Sequence, residues 1–115
     1  MRNRIQSFKH ALSGFGTLIR TQPNARIHLL ATVLVVVAGW GIGLPKSDWL
    51  WITIAVVVVW AAEAFNTALE FLADALHPET HPLIKQAKDV AAAAVLVCAL
   101  GAGVIGLMVF LPRLF

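Results

Sequence analysis

Charged residues are scarce in this chain. They make up 13 % of its 115 residues, against 59 % hydrophobic, and the mean hydropathy is +0.81. A soluble domain of this length needs more charge to cover its surface, so that class is excluded. Cysteine is nearly absent. The single Cys98 cannot close an internal disulfide, and inside an apolar block it reads as a small packing residue rather than a reactive thiol. The nine Lys and Arg residues form no dense patch, which argues against nucleic acid as a partner despite a net charge of +3. No glycine-rich phosphate loop of the P-loop or protein-kinase kind is present. Residues 1–20 carry four basic residues but no continuous apolar core and no small-residue cleavage site. The sequence therefore predicts no cleaved leader, with targeting supplied by the first spanning helix.

What is abundant is apolar sequence, gathered in three blocks after an amphipathic start. Over residues 4–20, Ile5, Phe8, Leu12, Phe15 and Ile19 recur at spacings of three and four, flanked by Arg4, Lys9 and Arg20. Such a helix is expected to lie on a membrane surface. Thr21, Gln22, Pro23 and Asn24 are expected to break it. A first spanning helix is predicted over 27–45, whose 19 residues carry no formal charge and suffice for a hydrocarbon core of about 30 Å. A second is predicted over 49–76, uncharged to Ala62, then acidic, and ended by His77-Pro78. The third is predicted over 82–112, opening on a favourable first-turn proline. Along it Ala94, Cys98, Ala102 and Gly106 repeat every four residues, a small-residue stripe suited to close helix contact in lipid. Trp40, Trp49 and Trp51 flank the first turn, where an aromatic belt is expected.

The expected fold class is thus an all-α membrane protein, one domain of three transmembrane helices plus a surface helix. Its orientation follows from Lys and Arg. Arg2, Arg4, Lys9, Arg20, Arg26, Lys85 and Lys88 fall on one side, and only Lys46 and Arg113 on the other. The positive-inside rule places the arm and the 77–89 loop in the cytoplasm.

Acidic groups at membrane depth are costly and mark function by default. On a helical wheel Glu63, Asn66, Glu70 and Asp74 fall within roughly 80° of one face. Glu63 is expected at acyl-chain depth, with Glu70 and Asp74 at the cytoplasmic rim. A carboxylate in the acyl region can accept a proton from an alcohol. Rim carboxylates suit Mg²⁺, which takes oxygen ligands and substrate phosphates. Lys85, Lys88 and Asp89 open the next helix, and a lysine there can pair with phosphate. The set fits phosphoryl transfer from a soluble nucleotide to a lipid hydroxyl. A bundle held by these ion pairs, and a small ion-coupled transporter subunit, are the other readings.

The segments Glu63-Ala-Phe-Asn66-Thr-Ala-Leu-Glu70-Phe-Leu-Ala-Asp74, Glu79-Thr80-His81 and Ala87-Lys88-Asp89-Val90-Ala91-Ala92 carry a family resemblance. So do Ser7-Phe8-Lys9-His10-Ala11-Leu12-Ser13-Gly14 and Asn24-Ala25-Arg26-Ile27-His28 in the arm and elbow. Across nearly its whole length the chain resembles the prokaryotic diacylglycerol kinases, small membrane lipid kinases that include the undecaprenol kinases. The resemblance implies a homotrimer in the bacterial cytoplasmic membrane, with ATP as phosphoryl donor and Mg²⁺ as cofactor. It implies Glu63 as catalytic base with Asn66 beside it, and Glu70 as metal ligand. Asp74, Glu79, Thr80, His81, Lys88 and Asp89 fall where nucleotide contacts or site support are implied. His10 stands at the position of a nucleotide-contacting tyrosine, in a chain with no tyrosine at all. Gln22 stands where the family has a second metal-binding Glu. Its amide oxygen can coordinate Mg²⁺ but brings no charge, so weaker metal affinity, a ligand from elsewhere, or a degenerate non-catalytic paralogue are the alternatives. The Asn24-x-Arg26-Ile27-His28 segment is similar to the undecaprenol kinase subgroup, leaving diacylglycerol and undecaprenol both open as the lipid alcohol.

Overall fold

A computed structural model describes residues 3–115. Arg2, counted above with the cytoplasmic basic residues, lies outside them. Four helices follow one another: α1 (Arg4–Thr21), α2 (Pro23–Ile42), α3 (Lys46–Leu76) and α4 (Pro82–Leu114). No strand occurs among the described residues. The last three are each long and apolar enough to cross a membrane.

α1 starts from a capping box, with Asn3 Oδ1 accepting from the Gln6 backbone N–H at 2.8 Å and the Gln6 side chain accepting from the Asn3 N–H at 3.4 Å. The break after α1 is much shorter than the expected run of Thr21 to Asn24. Only Gln22 leaves helical geometry, at φ −114° and ψ 110°. Pro23 opens α2 instead of interrupting the chain, because its missing N–H belongs to a position with no helical partner. α2 therefore begins four residues before the predicted Ile27. Arg26 secures this elbow. Its Nε donates to Ile19 O at 2.9 Å and its Nη2 to Arg20 O, satisfying carbonyls that the end of α1 leaves free.

α2 also stops earlier than expected, at Ile42, where Gly43 adopts φ +80° as a left-handed cap. Gly39 is required by close approach. A Cβ there would sit 2.9 Å from both Leu44 Cδ1 and Trp49 Cη2. α3 starts at Lys46, three residues before the predicted Trp49, because Pro45 can stand as its N-cap and Asp48 complements the dipole of its first turn. α4 starts at Pro82 as expected, with His81 Nδ1 accepting from the Leu83 N–H at 3.1 Å. It runs two residues past the expected end at Pro112, which lies inside the last turn and lacks the N–H that would bond Met108 O. Arg113 in that last turn donates to Asp48 at 2.7 Å, joining the end of α4 to the start of α3.

α3 is the central helix, and it packs most extensively on α4. Leu44, Ile52 and Val109 form the buried core at the end away from α1, with Val35, Trp49, Val56, Ile105 and Phe110 against them. Most large apolar side chains of α2 and α4 face outward. That is normal where the surroundings are lipid, since tails are as apolar as leucine. Ile5, Phe8 and Leu12 of α1 are likewise uncovered, and Leu18, outside the predicted stripe, is its one buried residue. The stripe on α4 does not close a helix contact along its full length. Ala102 and Gly106 face an open cavity, together with Ala99 and Gly103.

Candidate functional site

Burial along α3 falls in steps. Glu63 is 1 % exposed, Asn66 and Glu70 are half-buried, and Asp74 is exposed. The four residues share one face, but their surroundings grade from enclosed to open. Glu63 is the largest fully buried side chain in the described chain. Its Oε2 has no hydrogen-bond partner, and neither do the buried Asn66 Oδ1 and Thr67 Oγ1. Leaving such atoms unpaired is costly, so three of them within five residues single out this stretch as the candidate site.

Three helices build the wall around Glu63. His28 of α2 presents Nε2 at 3.7 Å from Glu63 Oε2. Thr32, one turn on, donates its hydroxyl to His28 O at 2.7 Å and accepts from Trp60 Nε1 at 3.0 Å. The Trp60 ring meets Phe15 of α1 at 5.1 Å and the His28 ring edge-on at 6.4 Å. The arm is thus docked on the same node that holds the buried acid. Below His28 a cavity of about 260 Å³ opens between α2, α3 and α4, lined by Ala31, Val35, Ile52, Val59 and Ala102 among others. A second, of about 410 Å³, lies between α1 and α3 against Phe15, Thr67 and Phe71.

The exposed end of the face has its own cluster. Lys88 of α4 pairs with Asp74 of α3 at 2.5 Å. Both line a recess of about 200 Å³ with Glu79, Thr80, His81 and Lys85. The 77–81 loop is held from within, as His77 Nδ1 bonds Glu79 O at 2.8 Å and its ring meets His81 at 5.3 Å. Asp89 pairs with the recess residue Lys85 at 2.7 Å. His10 and Gln22 line none of these three recesses. His10 is exposed on α1, and the half-buried Gln22 donates through Nε2 to Thr21 Oγ1 at 3.2 Å.

The model of the family described as prokaryotic diacylglycerol kinase matches residues 9–110. The chain belongs to that family. It is an integral membrane protein, and its enzyme class is that of a lipid kinase. It is 38 % identical over 110 residues to an undecaprenol kinase of Bacillus subtilis, covering 96 % of this chain and 89 % of that one. It is 35 % identical over 113 residues to a diacylglycerol kinase of Synechocystis sp., covering 97 % of this chain and 65 % of that longer one.

A kinase of this type implies a divalent cation. The carboxylate of Glu70 and the amide oxygen of Gln22 suit Mg²⁺ in kind, though no contact among the described residues joins the two. Among the described residues no three His, Cys, Asp or Glu side chains form a cage. Mg²⁺ does not need one, because it is held by one or two carboxylates plus waters and substrate phosphates. Glu70 enters no ion pair among the described residues.

Two residues at the site escape a reading by charge. His28 is neutral in a count of Lys and Arg, so α2 reads as featureless apolar sequence. The signal was its titratable ring inside a spanning segment, which deserves the same suspicion as a carboxylate there. Thr67 lies within the quoted motif, but its burial depends on α1 folding over α3.

Proposed function

We propose that this lipid kinase transfers the γ-phosphoryl group of ATP to the hydroxyl of a membrane lipid alcohol at the cytoplasmic face of the membrane. The observation that carries the reading is Glu63, fully enclosed on a membrane-spanning helix with a carboxylate oxygen that makes no hydrogen bond. In the proposed step Glu63 accepts the hydroxyl proton as the lipid oxygen bonds the γ-phosphorus. The bond from that phosphorus to the β-bridging oxygen breaks, and ADP leaves. Asn66, one turn away with its Oδ1 unpaired, holds the hydroxyl in line. Glu70, helped by the Gln22 amide oxygen, would hold Mg²⁺, which would supply positive charge against that of the phosphates. Lys88 meets the phosphates, while Asp74, Glu79, Thr80, His81 and Asp89 order the recess around them. His10 contacts the nucleotide from the arm.

The reading places α1 on the cytoplasmic membrane surface, its uncovered Ile5, Phe8 and Leu12 in the interface. It takes the assembly as a homotrimer, 1–115 being one domain per subunit. Undecaprenol is the favoured alcohol and diacylglycerol the second. The matching elbow segment and the greater similarity to an undecaprenol kinase support that order. So does the cavity below, whose lining is apolar apart from His28 at its rim and Thr32, whose hydroxyl is already engaged. A polyprenyl chain needs no polar partner there, whereas glyceryl esters do.

The test is transfer of labelled γ-phosphate by purified protein in lipid vesicles, with undecaprenol and diacylglycerol in parallel. No transfer to either alcohol, or to a monoacylglycerol, would sink the reading. Ion flux without ATP would favour a transporter instead.

A further inference from the structure

We infer that His28 is a positioning residue for Glu63, holding one carboxylate oxygen so that the other meets the lipid hydroxyl. This rests on the kinase reading above for its chemical purpose. The geometric case stands on four observations. First, His28 Nε2 faces Glu63 Oε2 at 3.7 Å, the one titratable side chain paired with that buried acid among the described residues. Second, Oε2 is enclosed and has no other partner. Third, His28 is held at both ends: Thr32 bonds its backbone carbonyl, and Trp60 stands edge-on to its ring. Fourth, Trp60 is itself fixed by Thr32 and Phe15, so the node cannot shift one member alone.

A base oriented by a third group is a recurrent arrangement in catalysis. At 3.7 Å the pair lies just outside hydrogen-bond range, and such distances shorten when a substrate is engaged. An Nε2–H donated to Oε2 fixes that oxygen and directs the remaining one toward the hydroxyl. The groups packed around the pair carry no competing charge. α1 offers Phe15, α2 offers Thr32, α3 offers Trp60, and α4 contributes only small apolar residues to the cavity beneath. The role of His28 is thus conformational, and it does not replace Glu63 as proton acceptor.

The experiment compares wild type, His28→Leu and His28→Gln in lipid vesicles, with transfer to the alcohol, ATP dependence and thermal stability measured on each. His28→Leu is expected to lower kcat about 30-fold or more, with KM for ATP within about twofold of wild type. His28→Gln keeps an N–H donor and is expected to recover kcat to within roughly fivefold of wild type. Nitrogen NMR of labelled histidines adds a readout independent of turnover. Glu63→Gln should move the imidazole signals of His28 and leave those of His10, His77 and His81 in place. Unchanged kcat in His28→Leu, equal losses in both variants that track a loss of stability, or imidazole signals indifferent to Glu63→Gln would each overturn the assignment. A wild-type protein that transfers no phosphate but shows the imidazole response would overturn the kinase reading and support the pairing.

Discussion

Lys88, near the start of α4, reaches Asp74, near the end of α3, and the two close an ion pair over the recess beside the 77–81 loop. Asp74 is exposed and Lys88 only one-third so. An exposed pair of this kind contributes little to folding, about 0–1 kcal/mol. Its place at the mouth of a recess suits a lysine held ready for an incoming phosphate.

Lys88→Met should therefore change stability by less than about 1 kcal/mol. It should raise the KM for ATP roughly tenfold or more, as a lost charge-assisted bond would. Thermal unfolding and steady-state kinetics on the same preparation check both halves. A variant that melts early and keeps its KM would reduce the pair to a structural brace.

Glu63→Gln should lower turnover by at least about a hundredfold, the usual scale for a missing general base. Nucleotide binding should persist. The fold should hold or gain, since a buried carboxylate without a hydrogen bond is replaced by a neutral amide. Equilibrium binding of a non-hydrolysable ATP analogue separates loss of chemistry from loss of structure.

Gln22→Glu should lower the Mg²⁺ concentration needed for half-maximal rate, because a carboxylate adds charge to an oxygen ligand. A magnesium titration of the rate reads this directly. Unchanged metal dependence would remove position 22 from the metal site, leaving Glu70 as the sole side-chain ligand proposed.

Gly39→Ala should destabilise the bundle by about 1–3 kcal/mol, the usual cost of overpacking. The added methyl would meet Leu44 and Trp49 at 2.9 Å. Both sit at the end of the molecule away from Glu63, so the specific activity of folded protein should be retained. Unfolding in mixed micelles against turnover per folded molecule tests the separation.

The spans were legible because uncharged runs of about twenty residues have few other uses. The acidic face of α3 was legible because helical periodicity places Glu63, Asn66, Glu70 and Asp74 together whatever surrounds them. What surrounds them was not legible. Pro23 carries two opposite signals, ending one helix and opening the next, and only the Arg26 clasp on Ile19 and Arg20 decides between them. The pairing of His28 with Glu63 joins residues 35 positions apart, and no local pattern encodes it. The same holds for Thr32 and Trp60, whose bond fixes how α2 lies against α3.

Trp60 also gives the molecule an optical handle. With no tyrosine in the chain, ultraviolet emission comes from four indoles, at positions 40, 49, 51 and 60. Replacing the first three by phenylalanine would leave one emitter, touching the arm through Phe15 and α2 through Thr32. Lifting of α1 would expose that indole to a wetter surrounding and shift its colour, so the docking and release of the arm could be timed by fluorescence in a stopped-flow cell.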